Sequence, residues 1–414
     1  MFLLPVVFSI FALSAYAQSN HDGMTDINAA SMFQMNLASG TSVNPASAAL
    51  PMLMRHYGSW NAMFMGEGFL ADTQQSGPRG GDKLYGPNWF MSSVEHRVGT
   101  QGAFEAEIML SLDPATITNR SYPLLFQTGE TAYGAPLVNA QHPHNFVMAL
   151  GLRYTRRLGG GTLLDLYAAP MGDPALGPVA FPHRASALEL PQATISHHLQ
   201  DSTHIADDVV TVGLARRKFK VEASGFHGQE PGENRWIIEA GAIDSWSARA
   251  WFLPTPRWAA QVSAGWIAHP ERLEAGDQVR VTASVEYSRP VAGGSWSSSL
   301  IWGRTHSTAS LANLNSLLAE SAVPLRKANF ITGRVEVADK NELFNEGPLV
   351  GRTFRVGAYT LGYTRDFPLF REVETGIGAN FTAYTLPETL KPFYGARPVG
   401  GNVFLRIRLR NASN

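Results

Sequence analysis

Residues 258–266 read Trp-Ala-Ala-Gln-Val-Ser-Ala-Gly-Trp, and the character of the side chains alternates along this stretch. Trp258, Val262 and Trp266 share one face with two alanines, whereas Gln261 and Ser263 lie on the other. A ring at each end with small aliphatic side chains between them matches the two aromatic girdles of a membrane β-strand. The stretch therefore predicts a strand with one face toward lipid and the other toward a barrel interior.

The same two-residue period recurs in segments of about ten residues. Residues 280–288 place Val, Ala, Val and Tyr on one face and Arg, Thr, Ser and Glu on the other. In residues 403–410 four aliphatic side chains alternate with three arginines and a phenylalanine. We predict an all-β protein, a transmembrane antiparallel up-and-down β-barrel of about 16 strands. The predicted strands are 60–72, 88–99, 102–113, 144–157, 161–171, 205–216, 219–228, 244–253, 257–267, 278–289, 295–305, 315–325, 328–338, 354–367, 372–385 and 402–410.

The connections between these strands alternate strictly between tight and long, which a soluble sandwich has no reason to show. The tight ones are 99–102, 159–161, 216–218, 254–256, 292–294, 326–327 and 367–370. The long ones include 73–87, 114–143, 172–204, 229–243, 268–277, 339–353 and 386–401. The pattern predicts short periplasmic turns, long outer loops, and both termini in the periplasm.

The chain begins with an apolar run that closes on Ala15-Tyr16-Ala17, which predicts a cleaved signal peptide over residues 1–17. Residues 18–51 carry no strand pattern and are predicted to form a flexible periplasmic arm or plug, followed by the barrel over 52–414. Together these features predict export to the outer membrane of a Gram-negative bacterium. The expected partners are outer-membrane lipid, the barrel-assembly machinery and, in a homo-oligomer, further copies of the chain.

Composition excludes several classes of protein. The absence of cysteine rules out disulfides and thiolate metal sites. A formal net charge of −1, from 33 basic and 34 acidic residues, gives no electrostatic signature of nucleic-acid binding. Nothing divides the chain into separate domains after residue 55, so one large unit is expected.

Histidines cluster in two of the long loops. His142 and His144 flank a proline, and the next long loop carries His183, His197, His198 and His204 together with Asp201. Imidazole and carboxylate suit zinc and copper, so one hypothesis is a metal-handling barrel with His142, His144, His197, His198, Asp201 and His204 as ligands. The alternative is that these histidines form hydrogen bonds in loops packed into the barrel mouth, with no metal and no other cofactor.

The same region allows a hydrolase hypothesis, because Ser196-His197-His198 and Asp201-Ser202-Thr203-His204 bring together hydroxyl, imidazole and carboxylate groups, which a hydrolase nucleophile requires. The sequence has no nucleophile elbow and lacks the active-site strand pattern of outer-membrane phospholipases. We therefore expect no enzymatic activity, with an esterase or lipase as the minor alternative.

About 16 strands enclose a lumen that side chains alone do not fill, so the favoured function is a pore or channel for small solutes or ions. Alternation places charged residues of both signs on its wall, which predicts no strong ion preference. The predicted lumen-lining residues are Arg280, Glu286, Arg334, Glu336, Arg406 and Arg408, with Asp165 beside them.

Five segments resemble those of an uncharacterised bacterial family of outer-membrane β-barrel proteins. They are Gln75–Lys83, Tyr122–Thr131, Gln141–His144, Ser196–His204 and Asp244–Arg249. The resemblance spans nearly the whole chain after residue 17. It implies the barrel fold and the outer-membrane location, and it implies no substrate and no functional residue.

Overall fold

A computed structural model describes residues 28–326 and 328–410 of the chain. The signal peptide predicted for 1–17 and the first part of the predicted arm lie outside these residues. The strands are β1 (Leu53–Tyr57), β2 (Trp60–Gln75), β3 (Gly81–Tyr85), β4 (Asn88–Val98), β5 (Gly102–Leu110), β6 (Tyr122–Ala132), β7 (Ala135–Gln141), β8 (Val147–Arg157), β9 (Thr162–Gly172), β10 (Ala206–Arg216), β11 (Phe219–His227), β12 (Ser245–Thr255), β13 (Trp258–Ile267), β14 (Gln278–Val291), β15 (Gly294–Ser307), β16 (Asn313–Pro324), β17 (Asn329–Lys340), β18 (Phe354–Phe370), β19 (Val373–Thr385) and β20 (Val399–Leu409). The α-helices are short: α1 (Ala29–Gln34), α2 (Asp113–Thr116), α3 (His197–Gln200) and α4 (Lys391–Tyr394).

Sixteen of these strands close into an antiparallel barrel, which confirms the predicted fold class. Closure runs through β2 and β20, whose register extends from Glu67 opposite Arg408 to Gln75 opposite Gly400. Strands β1 and β3 extend the two edges of β2, and β6 and β7 form a separate hairpin. No described helix is long and apolar enough to cross a membrane.

The barrel wall has two chemically different faces. On β20 the aliphatic side chains Val403, Leu405 and Ile407 are at least half exposed, whereas Arg406 and Arg408, which alternate with this set, are buried. On β13, Val262 points outward, and Gln261 and Ser263 are buried on the inner face. Because strand side chains alternate, each strand contributes to an apolar outer belt and a polar inner wall.

Some predicted boundaries are wrong. Strand β18 continues to Phe370, which pairs with Val373, so the turn lies at 371–372 and not at 367–370. Pro368 suggested a turn, but the register shifts between Pro368 and Phe370, and a bulge of this kind accommodates a proline within a strand. The strict alternation of connections also fails at residues 308–312, a five-residue link at the long-loop end.

Two predicted loops contain strands. The segment 73–87 contains the end of β2 and all of β3, and 114–143 contains the β6–β7 hairpin. Strand β8 begins at Val147, because His144 and Phe146 bond instead to Asp113 and to the Arg235 carbonyl.

Residues 173–205, here called the inserted segment, lie inside the barrel. Gly172 pairs with Ala206, so this segment leaves and rejoins the wall at one point. Nearly all of its residues are buried. Ionic contacts join it to the wall: Arg184 Nε donates to Glu320 at 2.6 Å, and Arg408 donates to Glu189 at 2.9 Å.

Residues 28–50, here called the arm, enter from the short-turn end. Asn28 donates to the Gly102 carbonyl at 2.9 Å, and Gln34 to Thr155 at 3.1 Å. The tip of the arm meets the start of the inserted segment, where Thr41 donates to the Asp173 carbonyl at 3.1 Å. The two segments therefore meet inside the barrel.

Candidate metal centre

Five imidazole rings meet where the inserted segment touches the loop that follows β7. His142 and His144 come from that loop, and His197, His198 and His204 come from the inserted segment. Neighbouring ring centroids are 5.0 Å apart for His197 and His198, 5.3 Å for His197 and His204, and 5.7 Å for both the His142–His198 and His144–His204 pairs. The cluster lies toward the long-loop end, since Leu199 beside it packs over Gly303 of β15.

Local sequence brings these rings together. Pro143 favours extended backbone for the residue before it, which lets His142 and His144 point to different neighbours. His197 and His198 begin the single turn of α3, and Asp201 caps it by donating its N–H to the His197 carbonyl at 3.0 Å. The capping residue then lies one turn below His197, within reach of its ring.

Each of four rings is oriented by a hydrogen bond from Nδ1 to an oxygen. His197 donates to the Asp201 carboxylate at 2.7 Å and His204 to the Asp201 carbonyl at 2.8 Å. His144 bonds to Asp113 at 2.9 Å and His142 to the Pro143 carbonyl at 3.0 Å. Because carbonyl and carboxylate oxygens accept, Nδ1 carries the proton in these rings and Nε2 presents a lone pair.

Burial favours the neutral form of four imidazoles in the cluster. It lowers the pKa of His197 to about 4, with Asp201 acting in the opposite direction, and it lowers the pKa of His142, His198 and His204 as well. Burial alone would raise the pKa of Asp201, but His197 and Arg184 hold it below its usual value. The cluster thus combines neutral nitrogen donors with an ionised carboxylate behind them.

Carboxylates border the cluster. Glu230 Oε1 is 3.6 Å from His198 Nδ1, and Glu130 Oε1 is 3.0 Å from His142 Nε2. Burial raises the pKa of Glu230 and of Glu271, and for Glu271 the nearby Glu230 charge adds to the effect. Sequence reasoning missed these glutamates, although their position in long loops at the same end of the barrel is a signal that could have found them.

The structure brings together all six residues of the metal hypothesis, in different roles. One ring nitrogen from each of His142, His197 and His198 lies within 4.8 Å of those from the other two, and a similar group joins His198 to Glu230 and Glu271. His144 and His204 form an adjacent pair, whereas Asp201 orients rings from behind. His183, the remaining loop histidine, packs apart against Trp89, with ring centroids 4.5 Å apart.

No described hydrogen bond joins the hydroxyl of Ser196 or Ser202 to an imidazole. The Ser196 backbone N–H donates to Glu336 at 3.0 Å, and the Ser202 hydroxyl accepts from Arg280 at 2.8 Å. The ring of His197 bonds through Nδ1 to Asp201, the residue that caps α3. The arrangement gives no support to a serine nucleophile.

The six predicted lumen-lining residues lie on the buried inner face, where they contact the inserted segment, whereas Asp165 is buried against Arg153 of the wall. Arg280 reaches Ser202, Glu336 accepts from Ser196, and Glu286 accepts from the Val179 N–H. Arg406 and Arg408 pair with Glu189, and Arg334 donates to the Gln192 carbonyl at 3.1 Å. Alternation predicts which side chains face inward, but it cannot distinguish a wall facing water from one facing an inserted loop.

Comparison with known proteins supports the fold. No protein-family model and no curated protein matches the chain, so membership of the family that the motifs resemble stays a prediction. The structure is similar to an anion-selective porin from Comamonas acidovorans, with a TM-score of 0.51 and 11% identity over 84% of this chain and 99% of the porin. It is also similar to Salmonella typhi OmpF, solved in complex with daunomycin, with a TM-score of 0.50 and 8% identity over 86% of this chain and 100% of OmpF. These likenesses concern the barrel fold.

Proposed function

We propose that this protein is an outer-membrane pore for small solutes, held closed by its own inserted segment and arm. The observation that carries the proposal is the closed barrel of sixteen strands with an apolar outer belt and a charged inner wall. Such a surface is stable only with lipid outside, and a barrel of this size has room for a water-filled passage once its interior segments move. In this proposal the protein has no enzymatic activity.

The orientation follows from the lengths of the connections. Short turns lie at one end and long loops at the other, so we place the short turns and the arm in the periplasm and the histidine cluster near the outer surface. A signal peptide over residues 1–17 would direct the chain there in a Gram-negative bacterium.

Membrane embedding predicts a depth-dependent cost of charge on the outer belt. Leu405 lies midway along β20, whereas Phe370 lies at the short-turn end of β18, and both side chains are exposed. Leu405→Arg should lower the free energy of unfolding by about 2–4 kcal/mol and Phe370→Arg by about 0–1 kcal/mol. Urea titration of each variant refolded in lipid vesicles measures both values. Equal costs at the two depths would contradict a membrane-spanning wall.

The contact between the arm and the inserted segment predicts a response to pH. Burial raises the pKa of Asp173 to about 8, partly offset by Arg249 and by a hydrogen bond from Ser42. Between pH 3.8 and about 8, Asp173 is therefore protonated when the arm is docked and ionised when the carboxyl group is hydrated. Docking should weaken as the pH rises through this window and be weakest above about 8.

Protease cleavage of the arm as a function of pH measures this effect. Cleavage of the wild-type arm should accelerate toward alkaline pH, and Asp173→Asn, which cannot ionise, should flatten the profile. An identical profile in the variant would show that Asp173 does not control docking.

Single-channel recording in planar bilayers tests the pore itself. The wild-type chain should insert with small or rare conductance steps, and a chain without the inserted segment should give large, stable ones. Insertion without conductance in both proteins would rule out a pore.

A further inference from the structure

The histidine cluster places a ring nitrogen in direct contact with a carboxylate oxygen. His142 donates through Nδ1 to the Pro143 carbonyl, so the Nε2 that lies 3.0 Å from Glu130 is an acceptor beside an acceptor. Glu130 also pairs with Arg235 through its other carboxylate oxygen. Arg235 occupies Oε2, whereas Oε1 faces His142 Nε2, so a cation bound to that nitrogen would be stabilised by the carboxylate.

Other nitrogens in the cluster are unsatisfied. Among the described residues, four further ring nitrogens have no hydrogen-bond partner: Nε2 of His144, Nε2 of His204 and both nitrogens of His198. Each of these side chains is about nine-tenths buried. An unpaired buried polar atom destabilises the fold, so several of them in one cluster call for a ligand.

We propose that His142, His197 and His198 bind one divalent transition-metal ion of the zinc and copper class. Imidazole nitrogen is a preferred donor for these ions, and the chain offers no thiolate to compete with it. A tetrahedral ion with bonds of about 2.0–2.1 Å needs nitrogens roughly 3.3 Å apart. The ring nitrogens of the three histidines lie within 4.8 Å of one another, so small movements of the rings would bring them to this spacing.

The surroundings match those of a metal site. Ligand histidines usually donate their second ring nitrogen to a carboxylate or a backbone carbonyl. His197 does so to Asp201 and His142 to Pro143. The carboxylates Glu230 and Glu271 lie on the border of the site and group with His198.

The ion would connect two parts of the chain. His142 belongs to the loop after β7, whereas His197 and His198 belong to α3 of the inserted segment. Binding would fix the inserted segment to that loop. The site does not depend on whether the barrel conducts, so metal binding and pore activity can fail separately.

The first test uses the full wild-type chain, refolded in detergent, treated with chelator and dialysed against Zn²⁺ or Cu²⁺ alone. Elemental analysis should give one ion per chain. Electron paramagnetic resonance of the Cu²⁺ form should show splitting from several imidazole nitrogens. A chain that retains no ion, or a spectrum with oxygen ligands only, would overturn the proposal.

Variants locate the ion. His198→Gln should weaken binding by roughly 100-fold or more, and Asp201→Asn, which removes an orienting carboxylate, by about 10- to 100-fold with altered nitrogen splitting. His183→Gln is the matched control, because it removes a buried histidine of the same segment that lies outside the three-histidine group. Heat-modified gel mobility checks that each barrel is folded. Unchanged affinity in a folded His198→Gln barrel would place the ion elsewhere.

Discussion

Excision of residues 173–205 is expected to raise the single-channel conductance roughly tenfold. Gly172 and Ala206 are paired across β9 and β10, so a two-residue Asn-Gly turn can join them without moving either strand. The inner-wall arginines that now contact Glu189 and Ser202 would then face water. The wall keeps its pairing because the backbone of each strand bonds to its neighbouring strands, whereas the excised segment contacts the wall through side chains.

A loop replacement at the same end of the barrel serves as the control. Residues 345–352 are mostly exposed, and a Gly-Ser linker of equal length in their place should leave conductance unchanged. If the excised barrel inserts and conducts no better than this control, the inserted segment is not what closes the pore.

The barrel could be predicted from the sequence because lipid imposes one chemical rule on every strand. The outward Trp258, Val262 and Trp266 and the inward Gln261 obey it within a single stretch. Boundaries failed where local signals compete with pairing. Pro368 resembled a turn residue, but the long register between β18 and β19 carries the strand past it.

The filled interior could not be predicted, because a buried polar residue and a hydrated one look alike in a strand. Arg406 was expected to face water and instead meets Glu189, a residue more than two hundred positions away in the chain. Nothing in the alternation of β20 distinguishes these two environments.

The candidate site was predicted in part. The sequence pointed to the histidines as a group, because six of them fall in two successive long loops. It assigned Asp201 as a ligand, whereas the structure places this carboxylate behind His197, where it orients the ring. The bordering glutamates come from loops distant in sequence, and only folding of the loops over the barrel brings Glu230 and Glu271 to His198.

Glu320→Ala is expected to lower the free energy of unfolding by about 3–5 kcal/mol, the usual cost of breaking a buried ion pair by removing one partner. The Glu320 carboxylate accepts from Arg184 at 2.6 Å, from Arg334 at 2.8 Å and from the Ser186 hydroxyl at 2.8 Å. Its loss leaves two arginines inside the barrel with fewer counter-charges. Arg184 retains Asp201 at 3.3 Å, and Arg334 retains only the Gln192 carbonyl at 3.1 Å among its described hydrogen bonds.

Urea titration of the refolded barrel measures this loss, with Glu388→Ala as the control. Glu388 forms an ion pair with Lys391 on the surface, where its side chain is 86% exposed, so its removal should change stability by about 0–1 kcal/mol. Because Glu320 joins the inserted segment to the wall, the variant should also show more frequent conductance steps than the wild type. Equal stability losses in the two variants would mean that water already reaches Glu320, and that the inserted segment is held by its packing and not by these ion pairs.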